Sequence, residues 1–180
     1  RYAPVVERIH AAVASLPGIN RVAVSTAPPF SGWEMVGSIR MPNQPDNLQA
    51  RTRSVGPGYL STLGIGLLAG REFNDADHPG SSGVIVDDLF RRRFLQGVDP
   101  LSAYVELATD AQGGFRRAPI IGVARTVKHE SLDETDNLPT VYQFTAAPLP
   151  VFWLVSHASG DPAAIAESVR RAIQQSAPGT

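Results

Sequence analysis

The chain has 180 residues, 43% of them hydrophobic, with 16 basic against 17 acidic side chains and a formal net charge of −1. That length suits one generous domain or two small ones sharing a boundary, burying about 70% of the unfolded surface. The balanced charge offers no broad field to nucleic acid or anionic lipid, and the absence of cysteine removes disulfides, thiolate metal sites and a cysteine nucleophile together. No apolar run approaches the ~18 to 20 residues that cross a bilayer, and RYAPVVERIH has neither the apolar stretch nor the cleavage site of a signal peptide. The expectation is a soluble segment, excised from a longer protein because it begins without methionine and stops at SAPGT shortly after a helix.

In chain order, Val5 or Val6, Ile9, Val13 and Leu16 recur at three- and four-residue steps and predict a helix closed by Pro17-Gly18. RVAVST, residues 21 to 26, reads as a strand. The following APPFSGWEMVG breaks regular structure and leaves Phe30, Trp33 and Met35 either tucked under the loop or awaiting a partner. Residues 36 to 41 predict a strand, MPNQPDN a turn, and Gln49 to Val55 another strand that alternates Ala50, Thr52 and Ser54 with Arg51 and Arg53.

VGPGYLSTLGIGLLAGREF carries glycines at 56, 58, 64, 66 and 70, which raises the question of phosphate binding. The spacing is not G-x-G-x-x-G, and no Lys-Ser or Lys-Thr follows for a P-loop. Pro57 suits the first turn of a short helix with Tyr59, Leu60 and Leu63 on its apolar side, and Gly64 sits where a left-handed cap ends it. These glycines stop a helix instead of starting one, so no nucleotide is expected.

GREFNDADHPGSSG predicts a surface loop, VIV at 84 to 86 a strand, and Asp87 or Asp88 the cap of a helix burying Leu89, Phe90 and Phe94 beside the basic triplet Arg91 to Arg93. Residues 103 to 108 and 118 to 126 predict a hairpin around DAQGG, with Gly113 and Gly114 free to take positive φ. TVYQF and WLVSH follow as strands. The last helix has Asp161 as cap, Pro162 in its first turn, and a buried stripe of Ile165, Val169 and Ile173. Helices mixed with hairpin-linked strands point to an α+β fold.

The inventory of chemistry is empty. Of His10, His78, His129 and His157, only His129-Glu130 begins like H-E-x-x-H, and Asp133 stands where the second histidine belongs. His129 is expected to be an exposed histidine in an acidic loop. Neither GSSG nor SHASG is G-x-S-x-G. Asp133, Glu134 and Asp136, like Asp75 and Asp77, lack the calcium loop's glycine and terminal glutamate. Paired glycosidase carboxylates would need an aromatic-rich cleft, and aromatic residues make up 7% of the chain. No catalytic residue, cofactor or metal is expected.

Several stretches, in order, resemble one family: the opening helix ending in LPG, RVAVST, VGPGYLSTLGIGLLAGREFNDAD, VIVDDLFRRRFLQGVDPLSAYVEL, IIGVARTVKHESLDETDNLPTVYQF and WLVSHASGDPAAIAESVRRAI. Together they resemble the extracytoplasmic core domain of MacB-like, FtsX-related ABC transporter permeases, in the branch best known from acidobacteria. Ser102, Ala103 and Tyr104 depart from the glycine and basic residues that the family places after its DP-L, and Asp87 replaces a common asparagine.

The resemblance implies two lobes: a discontinuous porter-like α/β lobe, residues 1–64 and 138–180, and an inserted, mainly β sabre-like lobe, residues 65–137. It further implies a non-catalytic domain on the extracytoplasmic (periplasmic) face of the cytoplasmic membrane, joined to the membrane-spanning remainder of a permease and driven by a cytoplasmic ABC ATPase. Partners would include a periplasmic adaptor and a second permease subunit, and no nucleic acid. Phe30, Trp33 and Met35 are then candidate contacts to an adaptor, a second permease domain or a substrate, with packing beneath the loop as the alternative. A ligand-binding sensor domain and a hydrolase sharing the fold are the competing functions.

Overall fold

A computed structural model describes residues 3–42, 44–78, 80, 83–109, 114–129, 138–145 and 151–177. In chain order the elements are α1 (Ala3–Ala14), β1 (Ile19–Ser25), β2 (Val36–Met41), β3 (Gln44–Val55), α2 (Tyr59–Thr62), β4 (Leu67–Gly70) and β5 (Val84–Asp87). There follow α3 (Asp88–Phe94), a 3-10 turn (Pro100–Ser102), β6 (Tyr104–Ala108), β7 (Phe115–Ala124), β8 (Thr140–Phe144), β9 (Trp153–Ala158) and α4 (Pro162–Ser176).

Among the described residues the strands form one sheet in the order β2-β6-β7-β5-β8-β3-β1-β9, with β4 added to β7 and β2 also bonded to β3. That last pairing closes β2, β6, β7, β5, β8 and β3 into a ring. The length of β3 makes closure feasible: Leu48 to Arg51 face β2, while Arg51 to Val55 run parallel to β8. The ring therefore draws β5, β6 and β7 from the segment between residues 65 and 137, and β2, β3 and β8 from the segments on either side. Its interior is apolar, with Ile39, Val84, Val86, Val105, Ile120 and Val141 buried, and α3 plugs it with Phe90. Each such side chain contributes about 1.5–3 kcal/mol when fully buried.

Beyond the ring, β1 meets β3 at the single register pair Ser25↔Val55 and meets β9 along Arg21↔His157 to Ser25↔Trp153. Helices α1 and α4, from opposite ends of the chain, cover this extension through Ile9, Val13, Val22 and Leu154, with Val169 and Ile173 packed alongside. The other face lies under α2: Tyr59, Leu60, Ile65 and Phe73 close over Ala23, Val55, Ile85 and Tyr142.

The local signals for α2, α3 and α4 match their caps. Asp87 accepts a hydrogen bond from the Phe90 amide and Asp161 from that of Ala163. Gly64 is left-handed (φ 70°) after α2, and the Ile65 and Gly64 amides return to the carbonyls of Leu60 and Ser61 at 2.8 and 3.3 Å, a Schellman closure.

Several expectations need correction. Leu63 is exposed, because as the C-cap residue it rotates off the buried side of α2. The Ile165, Val169 and Ile173 stripe is only half-buried, since α4 covers the last strand of the sheet and one other helix. GREFNDADHPGSSG is not all surface: Phe73 and Asp77 are buried, and β4, just before it, was not foreseen. MPNQPDN does turn the chain, but more tightly than its length suggests, since Met41 of β2 already pairs with Gln44 of β3. Leu89 and Phe94 are half-buried beside fully buried Phe90. DAQG, between β6 and β7 in the sequence, lies outside the described residues.

Candidate functional site

The loop from Thr26 to Met35 leaves β1 and returns to β2 with its main chain tied at its middle and at its far end. The Phe30 amide donates to the His129 carbonyl at 2.7 Å, and the Thr52 amide donates to the Met35 carbonyl at 2.8 Å. Between them the Arg51 guanidinium on β3 binds Glu34 through its Nε and the Leu138 carbonyl at 3.0 Å. The Arg51 side chain is 2% exposed and that of Glu34 26%, so the loop is pinned by an ion pair whose cation is buried and whose carboxylate still meets solvent. Such a pair is costly to break, because an uncompensated charge would stay buried.

On this fixed loop the three candidate contacts face outward. Phe30 is 56% exposed, Trp33 58% and Met35 40%. Trp33 rests edge-on against Trp153, with ring centroids 5.7 Å apart and an interplanar angle of 65°, an arrangement that orients the indole without burying it. Phe30 has φ 60°, a left-handed conformation that is an outlier for a bulky side chain and costs on the order of 1 kcal/mol or more. Phe30 also lines an apolar groove of about 620 Å³ with Pro28, Pro29, Leu63, Ile65 and Val155; Trp33 and Met35 do not line it.

His129, expected to be exposed, is buried, and its Nε2 lies 3.2 Å from the Thr140 hydroxyl. Its carbonyl holds the Phe30 amide while its imidazole lies against Thr140 of β8. Glu130, Asp133, Glu134 and Asp136 lie outside the described residues. His157 sits at a strand end beside Asn20 at 3.3 Å.

A second cleft of about 530 Å³ lies between α1 and the loop after β4, lined by Glu7, His10, Asp75, Asp77 and His78. The best-placed groups there already serve the fold. Asp77 receives two bonds from the Arg71 guanidinium, at 2.7 and 2.8 Å, and one from the Asn74 amide at 2.9 Å. His10 Nε2 lies 3.0 Å from the Val22 carbonyl, so that nitrogen carries the proton. Among the described residues no group of three His, Cys, Asp or Glu side chains could hold a metal ion.

Sequence reasoning missed a buried polar cluster beneath α2. Arg53 is 1% exposed, and burial pulls its pKa below the ordinary guanidinium value. Burial pushes Tyr59 and Tyr142 upward, so both phenols stay protonated. Burial likewise raises Asp87, against the opposing pull of the Phe90 amide. The alternation of Arg51 and Arg53 with small residues was the available signal, but it does not say which side of the strand faces inward.

No family model and no curated protein matches the chain. Solved structures do. The periplasmic region of MacB from Actinobacillus actinomycetemcomitans superposes with a TM-score of 0.66 at 15% identity, over 93% of this chain and 72% of that one. The fold is that of a MacB-like periplasmic domain. The extracellular domain of the noncanonic ABC-type transporter YknZ from Gram-positive bacteria gives 0.62 at 15% identity, over 94% and 82% of the two chains. A domain of a permease protein from Porphyromonas gingivalis gives 0.63 at 15% identity, over 93% and 75%. No helix among the described residues is long and apolar enough to cross a membrane.

Proposed function

We propose that this chain is a non-catalytic, extracytoplasmic domain of an ABC transporter permease, coupling ATP hydrolysis by a cytoplasmic ATPase to export or mechanotransmission. The observation that carries the reading is the MacB-like fold spanning 93% of the chain. A coupling domain needs no reacting group, because the work is delivered as displacement of packed bodies. Residues 1–64 and 138–180 would form the porter-like lobe and 65–137 the sabre-like lobe; the packing of α1 against α4 supports the discontinuous member of that pair. The domain would stand on the periplasmic side of the membrane, joined to the spanning part of the permease and working with an adaptor and a second permease subunit.

Phe30, Trp33 and Met35 would supply part of a partner contact. In the assembled permease, Trp33→Ala should lower export several-fold while the thermal transition of the domain stays within a few degrees of the parent, because Trp33 is exposed. Unchanged export with the fold intact rejects the contact, and turnover of a small molecule by the purified chain rejects the coupling reading itself. The apolar groove favours a second reading, a ligand-binding sensor domain, since its volume lies within the range of small-molecule sites.

A further inference from the structure

The last strand of the sheet, β9, reads Trp-Leu-Val-Ser-His-Ala and has neither a charged residue nor a proline. Among the described residues it pairs with β1 alone, and none of its six residues is buried. Long edge strands in soluble proteins usually carry lysine, proline or a bulge to discourage pairing.

The direction of the free hydrogen-bonding groups follows from the ladder. The Val24 carbonyl accepts from the Gly56 amide at 2.9 Å, and the Thr26 amide donates to the Ser54 carbonyl at 3.0 Å. Even-numbered residues of β1 therefore turn their main-chain groups away from β9. Ala23 and Ser25 turn theirs toward it, facing Val155 and Trp153. Alternation along β9 then points the N–H and C=O of Leu154 and Ser156 outward.

Side chains alternate in the same way, so Trp153 and Val155 share the sheet face that carries the candidate loop. Trp153 stacks on Trp33, and Val155 is a wall of the groove that holds Phe30. The groove thus reaches the edge strand. A row of outward main-chain donors and acceptors beside an apolar groove is matched by one kind of occupant, an extended polypeptide with apolar side chains at alternate positions. An acyl chain could fill the groove but would leave the edge groups without partners.

We infer that β9 is a strand-addition site: an extended segment of another polypeptide pairs with Leu154 and Ser156 and places alternate apolar side chains in the groove lined by Phe30, Leu63 and Val155. Main-chain bonds supply affinity in such complexes and the groove supplies choice. The assignment of that segment to a partner in the transport assembly rests on the function proposed above; the site itself rests on the edge and the groove.

The test uses the labelled chain and a synthetic peptide of alternating threonine and valine, seven residues long and blocked at both ends. Titration should shift the Leu154 and Ser156 amides and slow their hydrogen exchange. Ser156→Pro removes an outward N–H without touching the β1 ladder and should weaken binding about tenfold, or about 1.4 kcal/mol, whereas Ser156→Ala should bind like the parent. The same peptide N-methylated at every residue, so that neither edge can donate, should not bind, which keeps the test independent of how the proline variant folds. Three results would overturn the site: no binding at millimolar peptide, equal binding of the N-methylated peptide, or Leu154 and Ser156 amides already protected in a free chain that sediments as a dimer. The last would show a second copy of the chain on the edge. None of these outcomes touches the permease reading, which is decided by export in the assembled transporter.

Discussion

Arg51 shows how one side chain can fix the presentation of a loop. Its guanidinium holds Glu34 on the near side and the Leu138 carbonyl on the other, a partner 87 residues away. Glu34→Ala should therefore lower the unfolding free energy by about 2 kcal/mol, less than for a fully buried pair because Glu34 is partly exposed, and Glu34→Gln by about half as much; urea titration measures both. Asp87 acts in the opposite sense. Burial raises its folded pKa above the unfolded value, so its contribution is full below about pH 4 and is lost as pH rises through the folded pKa. Asp87→Asn still caps α3 but does not ionise. The variant should gain on the parent in denaturant midpoint between pH 3 and pH 7, with no gain at pH 3. The sequence revealed Asp161 as a cap and narrowed the other to Asp87 or Asp88, because a cap is a local contact. It could not reveal that the arginine face of β3 is buried, since the groups that make this tolerable come from distant segments.

The strained conformation of Phe30 belongs to the element that carries it. The loop is anchored at Phe30 and Met35 through main-chain bonds, and it holds a bulky residue at φ 60° that glycine would adopt without strain. Phe30→Gly and Phe30→Ala both remove an exposed ring, so their difference isolates the backbone. Phe30→Gly should be the more stable by about 1 kcal/mol in chemical denaturation. Periodicity located α1, α3 and α4, and the helix stop at Gly64 was readable because a Schellman closure lies within six residues. Strand β4 was missed because Leu67 to Gly70 is a short run ending in glycine, made into a strand only by pairing with β7. Phe30, Trp33 and Met35 stood out because apolar side chains inside a proline- and glycine-rich loop have no periodic face to join.

At the scale of the molecule, two of the pairings that build the ring, β2 with β6 and β3 with β8, join segments far apart in sequence. Patterning located every strand except β4 and supplied the mixture of helices with strands, but neither the closure nor the attachment of the β1–β9 extension. The two parts differ in how deeply they are buried: every residue of β5 is buried, whereas no residue of β9 or α4 is. Hydrogen exchange should follow that contrast, with the amides of α1, α4 and β9 opening at lower free energy than those of β5, β7 and β8. Equal protection in both parts would contradict it. The narrow junction at Ser25 and Val55 has a mechanical corollary. Tension between the paired helices and the ring would fall on the Thr26–Ser54 and Gly56–Val24 bonds together with the α2 side chains that pack on both β1 and the ring, so this corner would carry the load from one part to the other.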